Sequence, residues 1–299
     1  GGELYLSSGG TSTAAGKTGG KISINSGFSQ KGYSMIVIRT LNSGTSGVSG
    51  LLILSSGTSS SGDSGSIRIG SGTAASGAGG SISITVGSGD SGSGGELYLS
   101  SGATSNTAGK GAGKVSIMTG YSQKGHAGDL NIQTMNAGSS GVSGSIVLSA
   151  GTSSTGDSGS IRIGSGNAAS GSGGAVFITV GSGDSGSGGE LYLSAGGTST
   201  VAGRTAGKVS VISGLSQLAS SGDITIRTMN AGTSGVSGIL ILSAGTSSTG
   251  DSGSIRIGSG NAASGRGGSV YLTVGSGDSG SGGELYLSSG GTSTAAGKT

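Results

Sequence analysis

Six copies of the tetrapeptide Gly-Asp-Ser-Gly are the first feature of this 299-residue chain whose residue types could do chemistry. They lie at residues 62–65, 89–92, 156–159, 183–186, 250–253 and 277–280. A nucleophilic serine needs a general base within hydrogen-bond reach of its hydroxyl. The chain has a single histidine, His126, which cannot serve six serines. We therefore interpret the tetrapeptide as a repeated turn with Asx-type hydrogen bonds, and we predict that the protein is not an enzyme.

Two glycine-rich stretches match nucleotide-binding patterns only in part. Residues 10–18 end in Gly-Lys-Thr, but a phosphate-binding P-loop has one residue fewer in its loop and opens a helix. Residues 87–92 match the spacing of a dinucleotide fingerprint, which a chain with 73 glycines produces by chance. Calcium takes about six to eight oxygen ligands, whereas each glycine-rich loop offers one aspartate. We therefore predict neither a cofactor nor a metal site.

Short apolar triplets are the elements that must position these turns. Each triplet reads apolar, any residue, apolar, as in Ile67-Arg68-Ile69, and alternation puts its two apolar side chains on one face of an extended segment. Nineteen triplets occur, mostly 15 residues apart, with a few steps of 14, 16 or 18. Glycine and serine fill the segments between them. This periodicity argues against the flexible linker that a Gly/Ser-rich composition usually indicates.

Six triplets form a longer repeat of 93 or 94 residues, which begins near each Gly-Gly-Glu-Leu-Tyr-Leu-Ser. The long repeats occupy residues 1–93, 94–187 and 188–281, and residues 282–299 begin a fourth with the same sequence as residues 1–18. Repeat arrays usually end in atypical capping units with a polar outer face, and neither end has one. We expect the chain to be an uncapped segment of a longer array.

The repeats predict an all-β fold, a parallel β-solenoid (β-helix) of about 15–16 residues per coil and 19 coils. One triplet cannot bury itself, but it can stack on the triplets of neighbouring coils while their strands pair. We expect a thin core, with glycines at the corners that supply positive φ and let backbones approach closely. A bundle of glycine-rich polyproline-II helices is the alternative, against which the β-favouring triplets argue.

Charged residues directly before three consecutive triplets are predicted to set the register of the stack. They are Glu96, Lys114 and Asp129 in one long repeat and Glu190, Lys208 and Asp223 in the next. Stacked about 4.8 Å apart, they would form a ladder of alternating charge. In the first long repeat Met35 replaces the aspartate. Scattered charge that only keeps the protein soluble is the alternative interpretation.

A three-residue insertion in the longest segment between triplets carries one basic residue in each long repeat. These residues are Lys17, Lys110, Arg204 and Lys298. They are candidate lateral contacts to another filament or to an anionic glycan, and a solvated loop is the alternative. A net charge of +3 with 3% aromatic residues gives no nucleic-acid footprint. The apolar runs are too short for a membrane span, and the absence of cysteine excludes disulfides.

The arrays Gly-Asp-Ser-Gly-Ser-Ile-Arg-Ile-Gly-Ser-Gly and Ser-Gly-Gly-Glu-Leu-Tyr-Leu-Ser-Ser-Gly resemble the long Gly/Ser-rich β-solenoid repeat proteins of marine microalgae, such as diatoms, and of their viruses. The resemblance covers the whole chain. It implies an extracellular location, or one on a cell or virion surface, and a structural or adhesive role. It carries over no functional residues.

Repetition and composition together predict a structural, extracellular protein that forms fibres or filaments. Its partner would be itself, through end-to-end continuation and lateral bundling, with backbone hydrogen-bond ladders between coils as the stabilising force. The alternative is a repetitive surface adhesin, or a module that binds ice or extracellular polysaccharide. Ice binding would need a regular outward row of threonines, and the threonines at 11, 45, 58 and 73 form no sustained row.

Overall fold

The computed structural model describes residues 2–11, 18–105, 109–198 and 205–291. Within these ranges the chain forms no helix and no strand, and it runs as coil with regularly spaced bends. The prediction of an all-β parallel β-solenoid is therefore wrong. The ladders predicted to join neighbouring coils are not formed by the described residues either.

The backbone hydrogen bonds show why the triplets do not become strands. The described residues make twelve backbone–backbone hydrogen bonds, and all of them are local closures of turns or loops. A folded domain makes roughly one hydrogen bond per residue, most of them between backbone groups. Each triplet brings only two apolar side chains to a segment rich in glycine, whose ordering costs more entropy than that of any other residue. None of the twelve bonds involves a peptide group of a triplet.

The thin core predicted from the repeats is also wrong. None of the described residues is buried, and all of them except Ser122, Ser213 and Ser216 are largely exposed. The chain exposes 29667 Å² of surface, whereas a compact protein of its mass, 27.6 kDa, exposes about 11,000 Å². The apolar side chains that were expected to fill a core therefore face water.

The chain divides into two units, Gly1–Val147 and Leu148–Thr299. In the described part of the first unit, the backbone bends or turns at residues 30–32, 45–46, 60–62, 75–77, 90–92, 123–125 and 139–140. Each of these positions lies between two triplets. The first unit is thus a series of extended triplets joined by loops that reverse near their middle.

The second unit repeats this pattern. Its described residues bend or turn at 154–156, 169–171, 184–186, 217–219, 233–234, 248–250, 263–265 and 278–280. The division between the units falls inside the triplet Ile146–Leu148, so it does not follow the sequence repeats at 94–187 and 188–281. The long repeats stay a description of the sequence.

Candidate functional site

Most loops between triplets are closed where their two ends meet, a position that we call the neck. In one loop the Gly80 amide donates a hydrogen bond to the Gly72 carbonyl, with N···O 3.2 Å, and in the next Gly95 donates to Gly87 at 3.0 Å. The equivalent pairs in the later repeats are Gly174 to Gly166, Gly189 to Gly181, Gly268 to Gly260 and Gly283 to Gly275. A single backbone bond therefore closes each of these loops and leaves its tip in water.

The loops with the three-residue insertion close in the same way. Their neck bonds run from Gly20 to Gly9 at 2.7 Å, from Gly113 to Gly102 at 2.9 Å and from Gly207 to Gly196 at 2.8 Å. The insertion lies beyond the neck, and its residue Lys110 is exposed. The other basic residues of the insertions, Lys17, Arg204 and Lys298, lie outside the described residues. Lateral contact through these loops stays a prediction.

Hydroxyl groups reinforce several necks. The Ser165 hydroxyl donates to the Gly174 carbonyl at 2.6 Å, across a neck that also has its backbone bond. Elsewhere the hydroxyl acts alone: Thr40 donates to the Gly50 carbonyl at 3.1 Å. The hydroxyl also acts alone from Thr134 to Gly144 and from Ser56 to Gly65. Beside a backbone bond, further hydroxyl bonds join Ser259 to Gly268 and Ser101 to Gly113. Serine and threonine thus hold the loop bases that the glycines shape.

Glycine is needed at the neck because the facing backbone is close. A Cβ atom on Gly20 would lie 2.8 Å from the Ser8 Cβ and 3.0 Å from the Gly9 nitrogen. One on Gly113 would lie 3.1 Å from the Gly102 nitrogen. The expected close approach between neighbouring coils is not found in the described chain, and the close approach at these glycines joins the two ends of one loop. The expected positive φ is wrong for the described glycines except Gly109, whose φ is 73°.

The apolar triplets form the largest exposed feature of the described chain. The first apolar residue of a triplet is about half exposed, as at Leu97 and Leu191, each 55% exposed. The third residue is more exposed, as at Leu99 with 68%. The triplets are thus partly covered but nowhere buried in the described chain.

The six residues of the proposed charge ladder are all exposed in the structure. They are Glu96, Lys114, Asp129, Glu190, Lys208 and Asp223. No ion pair joins any two of them within the described ranges. Because the stack that was to bring them together does not form, the described geometry does not place them as a ladder. Their role in register stays a prediction.

The described residues hold no group of three or more His, Cys, Asp or Glu side chains placed to share a metal ion. His126 is exposed and makes no hydrogen bond to a serine of the described chain. The turn at the first Gly-Asp-Ser-Gly copy is held by serine, since the Gly62 amide donates to the Ser59 hydroxyl at 3.0 Å. The Asx-type bond expected from Asp63 is not formed. No helix suited to crossing a membrane is found among the described residues.

Tyrosine and glutamate form a local pair at the start of two long repeats. The Tyr98 hydroxyl donates a hydrogen bond to a carboxylate oxygen of Glu96, and Tyr5 donates to Glu3 at 2.8 Å. Alternation in an extended segment puts residues two apart on the same side, which allows this contact. The hydrogen bond to Glu96 raises the pKa of Tyr98 above its ordinary value, because the carboxylate stabilises the protonated phenol.

The structure has two open surface cavities that the sequence did not predict, each lined by four consecutive exposed residues. One, of about 330 Å³, is lined by Arg39, Thr40, Leu41 and Asn42. The other, of about 200 Å³, is lined by the corresponding residues Arg227, Thr228, Met229 and Asn230. The signal available beforehand was the recurrence of Arg-Thr-(Leu/Met)-Asn after the same triplet of the first and third long repeats.

The chain matches none of the known proteins with which it was compared. A scan against protein-family models finds no family that matches the chain. A search of curated proteins and a search of solved structures each find no match. The function therefore has to be argued from the residues and the geometry of this chain.

Proposed function

We propose that this chain is a structural, extracellular repeat protein that forms fibres by associating side by side with other copies of itself. The observation that supports the proposal is the regular array of exposed apolar triplets in a chain whose described residues have no core. A soluble monomer rarely exposes so many large apolar side chains without a partner. We propose no catalytic activity, because no serine among the described residues has a histidine base within hydrogen-bond distance.

A second copy is the partner because it presents the same spacing of triplets. Covering an isoleucine that is half exposed contributes about 1 kcal/mol, and the contributions accumulate along an array of 19 triplets. The triplets leave large apolar side chains for another copy to cover, as at Leu285, which is 52% exposed. A net charge of +3 on 299 residues opposes close association only weakly.

The test compares apolar and charged positions of one triplet type. We would replace the apolar residues of the three Ser-Ile-Arg-Ile-Gly triplets by serine and, in a control variant, replace only their arginines. The apolar positions are Ile67, Ile69, Ile161, Ile163, Ile255 and Ile257, and the control positions are Arg68, Arg162 and Arg256. Sedimentation and electron microscopy should show fibres for the unmodified chain. We expect the isoleucine variant to assemble only at concentrations at least tenfold higher.

The control variant should assemble within about twofold of the unmodified concentration, since its triplets keep both apolar residues. An unmodified chain that stays monomeric up to its solubility limit would contradict the proposal. So would an isoleucine variant that assembles like the control. The proposed location outside the cell, or on a cell or virion surface, has its own test: antibodies to the repeat should label intact, unpermeabilised cells or particles.

A second function, binding to extracellular polysaccharide, is favoured by the cavities beside Arg39 and Arg227. Fibres and polysaccharide binding are compatible, because the cavities lie in the segments after triplets and not on the triplets themselves. The two functions are also separable, since a variant that does not assemble retains both arginines.

A further inference from the structure

The two arginine cavities occupy the same position in different long repeats. Arg39 and Arg227 are 188 residues apart, which is two long repeats, and each follows the last apolar residue of its triplet. Each cavity has one guanidinium, one hydroxyl, one amide and one apolar side chain in its lining. The recurrence follows from the repeated sequence, Arg-Thr-Leu-Asn in one repeat and Arg-Thr-Met-Asn in the other, so both units present the same set of groups.

The threonine of the first cavity is held at a neck, because the Thr40 hydroxyl donates to the Gly50 carbonyl at 3.1 Å. This bond fixes the backbone beside Arg39. Thr228, in the second cavity, makes no such bond in the described structure. Because the threonine hydroxyl of the first unit is already used, the guanidinium and the asparagine amide are the donors left for a ligand.

The positive charge of the two arginines indicates an anionic ligand. No carboxylate of the described residues pairs with Arg39 or Arg227, so each guanidinium can offer its five N–H donors to a ligand. A guanidinium matches two oxygens of a sulfate or carboxylate with parallel hydrogen bonds. The apolar side chain, Leu41 or Met229, offers a surface for the C–H face of a sugar. No aromatic residue lines either cavity, so nucleic-acid bases have nothing to stack on.

We propose that these two cavities bind the anionic groups, sulfate or carboxylate, of an acidic polysaccharide. A polymer offers many such groups, so binding at both cavities raises the overall affinity beyond that of either one. The middle long repeat has Gln133 where the others have arginine, followed by Thr134, Met135 and Asn136. It supplies the neutral version of the same site within one chain.

The experiment measures binding of the full chain to immobilised dextran sulfate, to a polyuronate and to neutral dextran. Affinity for the anionic polymers should be at least tenfold lower in the double variant Arg39→Gln, Arg227→Gln. In the matched control Arg68→Gln, Arg256→Gln, which removes the same charge at exposed triplet positions, the affinity should fall by less than twofold. Adding an arginine through Gln133→Arg should tighten binding.

Two further arms separate shape from charge. Arg39→Lys with Arg227→Lys keeps the charge but loses the two-pronged guanidinium, and it should bind between the unmodified chain and the glutamine variant. Preference for dextran sulfate over the polyuronate would assign the ligand as a sulfate ester, and the opposite preference as a carboxylate. Equal losses in the double variant and its matched control would overturn the proposal, as would unmodified chain that binds neutral dextran equally well.

The proposal does not depend on fibre formation. All arms are repeated in the isoleucine-to-serine background, which is designed not to assemble. Binding in that background with no fibres supports the cavities, whatever the fate of the proposed function. Fibres without polyanion binding would contradict the cavities alone.

Discussion

The same tetrapeptide, Gly-Asp-Ser-Gly, has different roles in two loops of the first long repeat, which one further loop separates. In its first copy, residues 62–65, the backbone bends at 60–62 and the tetrapeptide forms the returning half of the loop, so that Gly65 lies at the neck. In its second copy, residues 89–92, the bend falls at 90–92 and the tetrapeptide forms the tip itself. There the neck is made by Gly87 and Gly95.

The first glycines of the two copies show the difference most clearly. A Cβ on Gly62 would meet only the Ser59 hydroxyl oxygen, at 3.6 Å. A Cβ on Gly89 would lie 2.5 Å from the Gly92 carbonyl oxygen and 2.6 Å from that of Ser93. The distance to the next triplet, and not the tetrapeptide, decides which role is taken. Similar motifs in a repetitive chain therefore need not mark similar sites.

The largest expected effect is at the crowded tip. Alanine at Gly89, Gly183 and Gly277 pushes a methyl group into backbone oxygens, which should cost about 1–3 kcal/mol for each loop. The measurement is amide proton exchange by NMR at the neck glycines Gly95, Gly189 and Gly283, which should speed up as the necks open. Alanine at Gly62, Gly156 and Gly250 is the control. Equal acceleration in both sets would contradict the comparison.

A smaller effect is expected from the hydroxyl at the neck of the first copy. Ser56 donates to the Gly65 carbonyl at 2.9 Å, whereas the equivalent residues Ala150 and Ala244 cannot. Ser56→Ala should weaken this neck by about 1 kcal/mol or less, since the groups are exposed. Conversely, Ala150→Ser should strengthen its neck. Amide exchange of the neck glycines would report both, and a neck unaffected by either change would show that the hydroxyl bond is not stabilising.

The bend before the first copy should respond more weakly still. Ser59→Ala removes the acceptor of the Gly62 amide, at a cost of about 0.5–1 kcal/mol. The amide of Gly62 should then exchange at the rate of an unstructured glycine. Asp63→Ala is the matched control, because it removes the acceptor of an Asx turn and the aspartate makes no hydrogen bond in the described structure. An equal response to the aspartate change would favour the Asx turn expected from the sequence.

The smallest effect is a titration after the second copy, where Gly95 leads into Glu96 and Tyr98. The raised pKa of Tyr98 means that deprotonation is harder when its hydrogen bond to Glu96 is formed. The bond therefore stabilises this segment at any pH below the ordinary tyrosine value of 10.0, and its contribution is lost as pH rises through the raised value. Ultraviolet titration should show Tyr98 ionising at lower pH in Glu96→Gln. An unchanged titration curve would show that Glu96 does not affect the ionisation of Tyr98.

Part of this architecture could be predicted from the sequence. The period of the triplets predicts that the chain bends between them, and the described bends, such as those at 60–62 and 75–77, all fall between triplets. The strands and the core were wrong because they depend on pairing between neighbouring segments. A period shows only that segments are equivalent, and two apolar residues in 15 do not guarantee that they bury each other.

Local geometry was predicted less well. Counting glycines does not tell positive φ from close approach, and here the neck glycines serve the second purpose at Gly20 and Gly113. The arginine cavities were missed because Arg39 and Arg227 belong to no known spacing pattern. The recurrence of the two arginines at one position of the repeat is visible in the sequence. The open cavity beside each arginine is visible only in the structure.

The few hydrogen bonds that close each neck have a mechanical consequence. The Gly72–Gly80 bond keeps the seven residues 73–79 out of the path of the chain, so pulling on the ends loads the bond before it loads those residues. When the bond breaks, on the order of 20 Å of hidden length is released. We expect single-molecule stretching to show many small, reversible extensions in place of one cooperative rupture. Such a fibre would dissipate energy under tension and recover when slack.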